Sequence, residues 1–95
     1  MPTFIIRYRT HPERTDENMR LIRAVFADLR EQPIPGLRYS ASCTTDGAFT
    51  HIVTYDGETT ALTKRPAFEQ FQAGIRERCV EPPVRTEQTL VGSVG

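Results

Sequence analysis

Residues 37–55, LRYSASCTTDGAFTHIVTY, contain an Asp-Gly pair between two runs rich in aromatic and β-branched residues. This pattern predicts a β-hairpin. A three-residue loop over Thr45-Asp46-Gly47, with Gly47 left-handed, pairs Thr44 with Ala48 and fixes the register of both strands. A two-residue loop would mix the two faces, so three residues are favoured. The pairs that then share one face are Cys43 with Phe49, Ala41 with His51, Tyr39 with Val53 and Leu37 with Tyr55.

The residues before the hairpin predict one strand and one helix. Residues 3–9 alternate in the period of a half-buried strand, with Phe4, Ile6 and Tyr8 on one face. From about residue 15 to residue 31 apolar side chains recur at helical spacing, and Thr15 is the expected N-cap. The segment Pro33-Ile34-Pro35-Gly36 should end this helix and turn the chain into the hairpin.

The residues after the hairpin predict a second helix and a last strand. Asp56-Gly57 is a turn signal, and residues 58–65 are expected to form a short irregular helical segment. Pro66 suits the first turn of a second helix, whose apolar spacing continues through residue 78. The pair Pro82-Pro83 lies beyond its end, and residues 84–94 are the last strand candidate.

The order strand, helix, strand, strand, helix, strand indicates a fold of the α+β class. It is the ferredoxin-like βαββαβ arrangement, a four-stranded antiparallel sheet with two helices on one face. Residues 1–95 are expected to form a single domain. The other sheet face carries Ile5 and Ile52 together with Arg7, Ser40 and several threonines, which is a mixed composition. Packing against the same face of a second copy would bury it, so we expect a homodimer.

Composition excludes several classes of function. The 95 residues have a formal net charge of zero and scattered arginines, so no nucleic-acid partner is expected. Two well-separated cysteines, Cys43 and Cys79, indicate neither structural zinc nor a disulfide framework. No signal peptide and no apolar stretch of membrane-spanning length is recognisable, so we expect a cytoplasmic protein without membrane contact. No metal-ligand cluster or phosphate-binding glycine loop is recognisable in the sequence either, and no cofactor is predicted.

The chain resembles the dimeric α/β-barrel superfamily, and within it the antibiotic-biosynthesis-monooxygenase type. The resemblance rests on Pro35-Gly36-Leu37-Arg38-Tyr39, on the helix start at Arg65-Pro66-Ala67-Phe68-Glu69-Gln70-Phe71 and on the closing Leu90-Val91-Gly92-Ser93. It implies that two subunits pack sheet against sheet, each with a pocket between its own sheet and helices. It also implies oxygenation of phenols or quinols without metal or flavin in some members, and haem degradation in others. The chain has no tryptophan, and no histidine in residues 63–67, which argues against haem degradation.

His51 is the candidate catalytic residue. An imidazole on an apolar sheet face under two helices is desolvated and therefore neutral, and a neutral imidazole can accept a proton from a phenol. Aromatic walls with few polar groups suit a flat aromatic substrate. The candidate substrate-binding residues are Tyr8, Tyr39, Phe49, Tyr55 and Phe68. The alternative is a core histidine hydrogen-bonded to a tyrosine or a backbone carbonyl.

Three functions stay open at the level of sequence. The first is a cofactor-independent monooxygenase acting on a small quinol or phenol, with proton removal at His51. The second is a non-catalytic small-molecule-binding or accessory protein with the same dimeric fold, which the lack of a recognisable catalytic constellation favours. The third is a non-oxidative isomerase or cyclase. Dependence on oxygen separates the first from the third.

Overall fold

The computed structural model describes residues 2–56 and 60–95. The strands are β1 (Thr3–Thr10), β2 (Leu37–Cys43), β3 (Ala48–Tyr55) and β4 (Cys79–Gln88). The helices are α1 (Thr15–Glu31), α2 (Thr60–Thr63), α3 (Pro66–Gln72) and α4 (Ile75–Arg78). No helix within the described ranges is long and apolar enough to span a membrane.

The four strands form one antiparallel sheet in the order β2-β3-β1-β4, which confirms the predicted α+β ferredoxin-like fold. The hairpin has the predicted register throughout, including Ala41 opposite His51 and Tyr39 opposite Val53. Its loop is the three-residue form, because the Thr44 amide donates to the Ala48 carbonyl and Gly47 has φ +84°. A two-residue loop is thereby excluded, and His51 lies on the helix-covered face.

The core lies between this face and the helices. Phe49 on β3 and Val25 on α1 are each 1% exposed, and Phe49 and Val25 belong to one apolar cluster. The remaining buried members come from the sheet and the helices alike: Tyr8, Ile22, Leu62, Phe68, Phe71 and Cys79. The helices therefore cover the sheet face on which the apolar hairpin pairs were predicted. Covering this face removes the largest apolar area from water, which stabilises the fold.

Helix α1 begins differently from the prediction. Thr15 is its first residue and not its N-cap; a single 3₁₀ turn, Pro12–Arg14, precedes it, and Arg14 takes the cap position. The Thr15 hydroxyl instead bonds the Thr10 hydroxyl at 2.8 Å, across the chain reversal. Pro12 fits the first position of the 3₁₀ turn, where its missing N–H has no partner to lose. The predicted end holds, because α1 ends at Glu31, just before Pro33.

The second half departs from prediction at two places. The predicted helix over residues 66–78 is interrupted at Gly74, which has φ +75° and separates α3 from α4. The last strand begins at Cys79 and ends at Gln88, so the Pro82-Pro83 pair lies inside it and not before it. Prolines are tolerated because β4 is an edge strand with register irregularities beside Arg9. The predicted turn at Gly57 and the start of the predicted 58–65 helix lie outside the described residues, and α2 follows at Thr60.

The outer sheet face is mixed, as expected. Because side chains alternate along a strand, Ile5, Ile52 and Val84 all lie on this face. Ile5 is only 7% exposed, whereas Ile52 is 39% and Val84 63% exposed. Residues 89–95 follow β4 without secondary structure, and Leu90 and Val91 within them are exposed.

Candidate functional site

His51 lies at the centre of an aromatic cluster between the sheet and α3. Its Nε2 is 2.7 Å from the Tyr8 hydroxyl, and its Nδ1 is 2.7 Å from the Tyr39 hydroxyl. The imidazole stacks on the Phe71 ring at 5.3 Å, and Phe68 contacts Phe71 and Tyr39. The side chain of His51 is therefore buried, at 3% exposure, with both ring nitrogens hydrogen-bonded to tyrosines.

Two buried polar residues extend this cluster towards α4. Asn18, fully buried on α1, donates from Nδ2 to the Tyr8 hydroxyl at 2.9 Å. Arg78, 2% exposed, donates from Nε to Asn18 Oδ1 at 2.9 Å and from its terminal nitrogens to the carbonyls of Phe71 and Ala73. Its guanidinium carbon also lies 5.7 Å from the centre of the Phe71 ring. These bonds offset the cost of burying a charged group.

The contacts of Arg78 set the direction of every hydrogen bond in this network. A guanidinium only donates, so Asn18 must present its oxygen to Arg78 and its amide N–H to Tyr8. Tyr8 then accepts from Asn18 and directs its own proton to His51 Nε2. His51 consequently carries its proton on Nδ1 and donates to the Tyr39 oxygen. The Tyr39 hydroxyl proton, at the end of the network, then has no acceptor among residues 2–56 and 60–95.

Burial governs the protonation states of the cluster. Desolvation lowers the pKa of His51 from 6.5 to about 4, so the imidazole is neutral at neutral pH. Desolvation also raises the pKa of Tyr8 and that of Tyr39 above the usual value of 10, so both remain protonated. Tyr8, His51 and Tyr39 are thus all neutral, and each donates its proton to the next in that order.

The space beside His51 is small. A cavity of about 90 Å³ lies against Tyr8, Tyr39, His51, Phe68 and Phe71. Typical ligand pockets have volumes of about 300–1,000 Å³, so this cavity alone does not hold a substrate of more than one ring. The rings of Tyr39, His51, Phe68 and Phe71 pack against one another beside this cavity.

More space lies between α1 and the edge strand β2. This groove, which we call the α1–β2 groove, consists of a cavity of about 220 Å³ and a second of about 160 Å³, and Phe26 lines both. The first is closed on the sheet side by Ala41 and Phe49, and the second by Tyr39. Tyr39 therefore borders both the α1–β2 groove and the cavity beside His51.

Most of the predicted site residues come together. His51, Tyr8, Tyr39 and Phe68 lie in the aromatic cluster, and Phe49 stacks on Tyr8 at 5.2 Å while lining the α1–β2 groove. The hairpin and β1 supply four of these residues and α3 supplies Phe68, and all five line the α1–β2 groove or the cavity beside His51.

Tyr55 is buried but lines neither the groove nor the cavity beside His51. The two cysteines, Cys43 and Cys79, are unpaired, and burial raises the pKa of each thiol. Within the described ranges, no three His, Cys, Asp or Glu side chains cluster as metal ligands would.

Asn18 and Arg78 were not predicted from the sequence as site residues. A polar residue on the apolar stripe of α1 was the available signal for Asn18, since Asn18 lies one turn before Ile22. Arg78 gave no such signal: it is the last residue of α4, after the break at Gly74, and an arginine at a helix end is usually exposed.

Several solved structures are similar to this one along nearly the whole chain. A crystal structure of an antibiotic biosynthesis monooxygenase matches with a TM-score of 0.78 at 18% identity, covering 97% of this chain and 100% of the other. The chain has the antibiotic biosynthesis monooxygenase fold. Rv0793 from Mycobacterium tuberculosis matches with a TM-score of 0.76 at 17% identity over 100% of both chains.

SnoaB from Streptomyces nogalater, a cofactor-independent oxygenase solved as a mutant, shares this fold. It matches with a TM-score of 0.70 at 16% identity, covering 98% of this chain and 95% of its own. No protein-family model and no curated protein matches the chain. Identities this low establish the fold, and the activity depends on the chemistry of the site.

Proposed function

We propose that the chain is a cofactor-independent monooxygenase acting on a small electron-rich phenol or quinol. The observation that carries the proposal is that Tyr39, whose hydroxyl ends the directed hydrogen-bond network, lines both the cavity beside His51 and the α1–β2 groove. A fixed donor in a dry, aromatic environment stabilises an oxygen on which negative charge develops. The likeness to a cofactor-independent oxygenase agrees with this chemistry.

In this proposal the substrate is bound with its phenolic oxygen against Tyr39. The hydrogen bond from Tyr39, reinforced by His51 Nδ1–H, lowers the pKa of the substrate phenol and favours the phenolate. The phenolate gives one electron to O₂, and the resulting radical pair combines at a ring carbon that carries hydrogen. Loss of water then leaves a carbonyl at that carbon. One oxygen atom of O₂ enters the product, and the other leaves as water with two hydrogens from the substrate.

His51 acts through Tyr39 in this scheme. Proton removal by the imidazole itself, as expected from the sequence, stays a prediction. Two features favour the indirect role: both ring nitrogens are engaged with tyrosines, and a pKa of about 4 makes the imidazole a weak base. His51 is therefore the positioning residue that holds Tyr39 as a donor.

The test is oxygen uptake by chelator-treated protein against a panel of hydroquinones and naphthols. Tyr39→Phe removes only the hydroxyl, and we expect kcat/KM to fall about 100-fold, as for loss of one oxyanion donor. His51→Gln should lower kcat more than it raises KM, whereas His11→Gln, which changes the other histidine, should leave both unchanged. Uptake that is equal in wild type and Tyr39→Phe would refute the mechanism. No uptake across the panel, with ligand binding retained, would favour the non-catalytic binding protein.

We also propose that two copies associate through their outer sheet faces. Ile52 and Val84 lie exposed on this face of the described sheet, beside the buried Ile5, and apolar exposure of this kind favours a sheet-to-sheet contact. Light scattering at micromolar concentration should report twice the mass of 10.8 kDa. A monomer at that concentration would contradict the proposal.

A further inference from the structure

We infer that the α1–β2 groove binds an aromatic anion carrying a carboxylate or similar acidic group, with Arg23 and Arg30 as its anion-recognising residues. This inference rests on the proposed function, for which it names the substrate class. Tyr39 lines the smaller cavity of this groove, about 160 Å³, and the larger one of about 220 Å³ lies beyond Phe26, whereas the cavity beside His51 has only about 90 Å³.

The groove walls suit a flat apolar ring. In the larger cavity the α1 side contributes Met19 and Ile22, and the sheet side contributes Ala41 and Phe49. Ala41 leaves room there because its side chain is the smallest on the inner face of β2. Flat ring systems bury their faces against aliphatic and aromatic side chains of this kind.

Two arginines give the groove its charge. Arg23 lines the larger cavity and Arg30 the smaller one. They are seven residues apart on α1, so they project from the same side of the helix about 10 Å apart along its axis. Neither has a hydrogen-bonding or ion-pair partner among residues 2–56 and 60–95.

No described residue that lines either cavity is acidic. Asp46, in the hairpin loop beyond Cys43, is already paired with Arg9 at 2.8 Å. The groove therefore presents uncompensated positive charge beside apolar walls, and an aromatic carboxylate complements both features.

Phe26 sets the length of the ligand. Its ring lies 4.8 Å from that of Tyr39 and stands between the two cavities. With Phe26 in place, each cavity accepts a short ring system next to one arginine. Rotation or removal of this ring would join them into one groove.

The experiment measures binding without oxygen, so that it does not depend on turnover. The probe is 1-hydroxy-2-naphthoate, followed by its fluorescence under anaerobic conditions, with the uncharged 1-hydroxy-2-naphthamide as comparison. We expect the carboxylate to bind about tenfold more tightly at low salt, and this preference to shrink as salt is added. Arg23→Gln should weaken carboxylate binding in the larger cavity, and Arg30→Gln in the smaller one, about threefold to fivefold, as for a partly exposed ion pair. Arg20→Gln, on the same helix outside the groove, should leave it unchanged.

A second readout uses ligand length. Phe26→Ala removes the ring that separates the two cavities. The affinity for anthracene-2-carboxylate, relative to that for the naphthoate, should therefore be higher in this variant than in wild type. Equal binding of the naphthoate and the naphthamide, or equal weakening by Arg20→Gln and Arg23→Gln, would overturn the inference. Carboxylate binding through Arg23 without any oxygen uptake would uphold it while rejecting the monooxygenase. Oxygen uptake without any preference for the carboxylate over the amide would support the monooxygenase and reject the inference.

Discussion

The burial of His51 predicts a specific dependence of stability on pH. In the unfolded chain the pKa of the imidazole is 6.5, and in the folded protein it is about 4. Because the folded pKa is the lower one, the unfolded state binds a proton first as pH falls. The stabilisation is thus complete above pH 6.5 and is lost progressively between pH 6.5 and 4. The full difference corresponds to about 3 kcal/mol, and between pH 7 and 4.5 about 2.5 kcal/mol is lost.

The perturbation that isolates this contribution is His51→Gln. Glutamine cannot take up the proton, so the loss of unfolding free energy between pH 7 and 4.5 should be about 2.5 kcal/mol smaller in the variant than in wild type. Carboxyl groups also titrate in this range, but their contributions cancel in the difference between the two proteins.

Urea denaturation at both pH values, followed by circular dichroism, measures the effect. His11→Gln serves as the matched control, since it leaves the contacts of His51 in place and should follow the wild-type curve. Parallel pH dependence in wild type and His51→Gln would refute the claim that the folded protein holds this imidazole neutral.

Three further substitutions test the fold. Gly47→Ala should lower the unfolding free energy by about 1–2 kcal/mol, because φ is +84° at this position and the added methyl would lie 3.1 Å from a threonine hydroxyl. Gly92→Ala, where nothing lies within 4 Å, should be neutral in the same urea titration. Arg78→Met should cost about 3 kcal/mol by leaving buried acceptors unpaired, and Arg76→Met, at an exposed position of the same helix, should cost under about 0.5 kcal/mol. Ile52→Glu should convert the proposed dimer to a monomer in light scattering without loss of helical circular dichroism; an unchanged mass would contradict the outer-face contact.

The hairpin shows how much of this structure its sequence could predict. Gly47 and the alternation around it determined the loop length, the register and the face of His51, because a one-residue slip would have moved every apolar side chain to solvent. The ferredoxin-like order followed from the alternation of strand and helix periods.

The errors lie at Gly74, at the two prolines and at the start of α1. Apolar spacing that continued across Gly74 indicated one helix, although a glycine, which readily takes a positive φ, is itself a local signal for a helix end. Pro82 and Pro83 signal a break in an isolated segment, yet on the edge strand β4 their missing N–H groups are tolerated. Thr15 was a reasonable cap by residue type, but the 3₁₀ turn before it moved the start of α1 by one position.

The sequence was enough to predict most residues of the candidate site, but not the hydrogen bonds between them. The register of the hairpin is enough to bring His51, Tyr39 and Ala41 together on one face. The direction of the hydrogen bonds was not predictable, because it originates at Arg78 and passes through Asn18 over 60 residues of sequence separation. Pairings of that range depend on how α4 packs against α1, which periodicity does not encode.

The most direct measurement of the central claim is the pKa of a bound phenol. Anaerobic absorption titration of 2-naphthol with saturating protein reports whether the site favours the naphtholate. The hydrogen bond from Tyr39 predicts that the pKa of bound 2-naphthol lies at least about one unit below that of free 2-naphthol, and that Tyr39→Phe abolishes most of this decrease. A bound pKa equal to or above the free value in the wild-type protein would contradict the account.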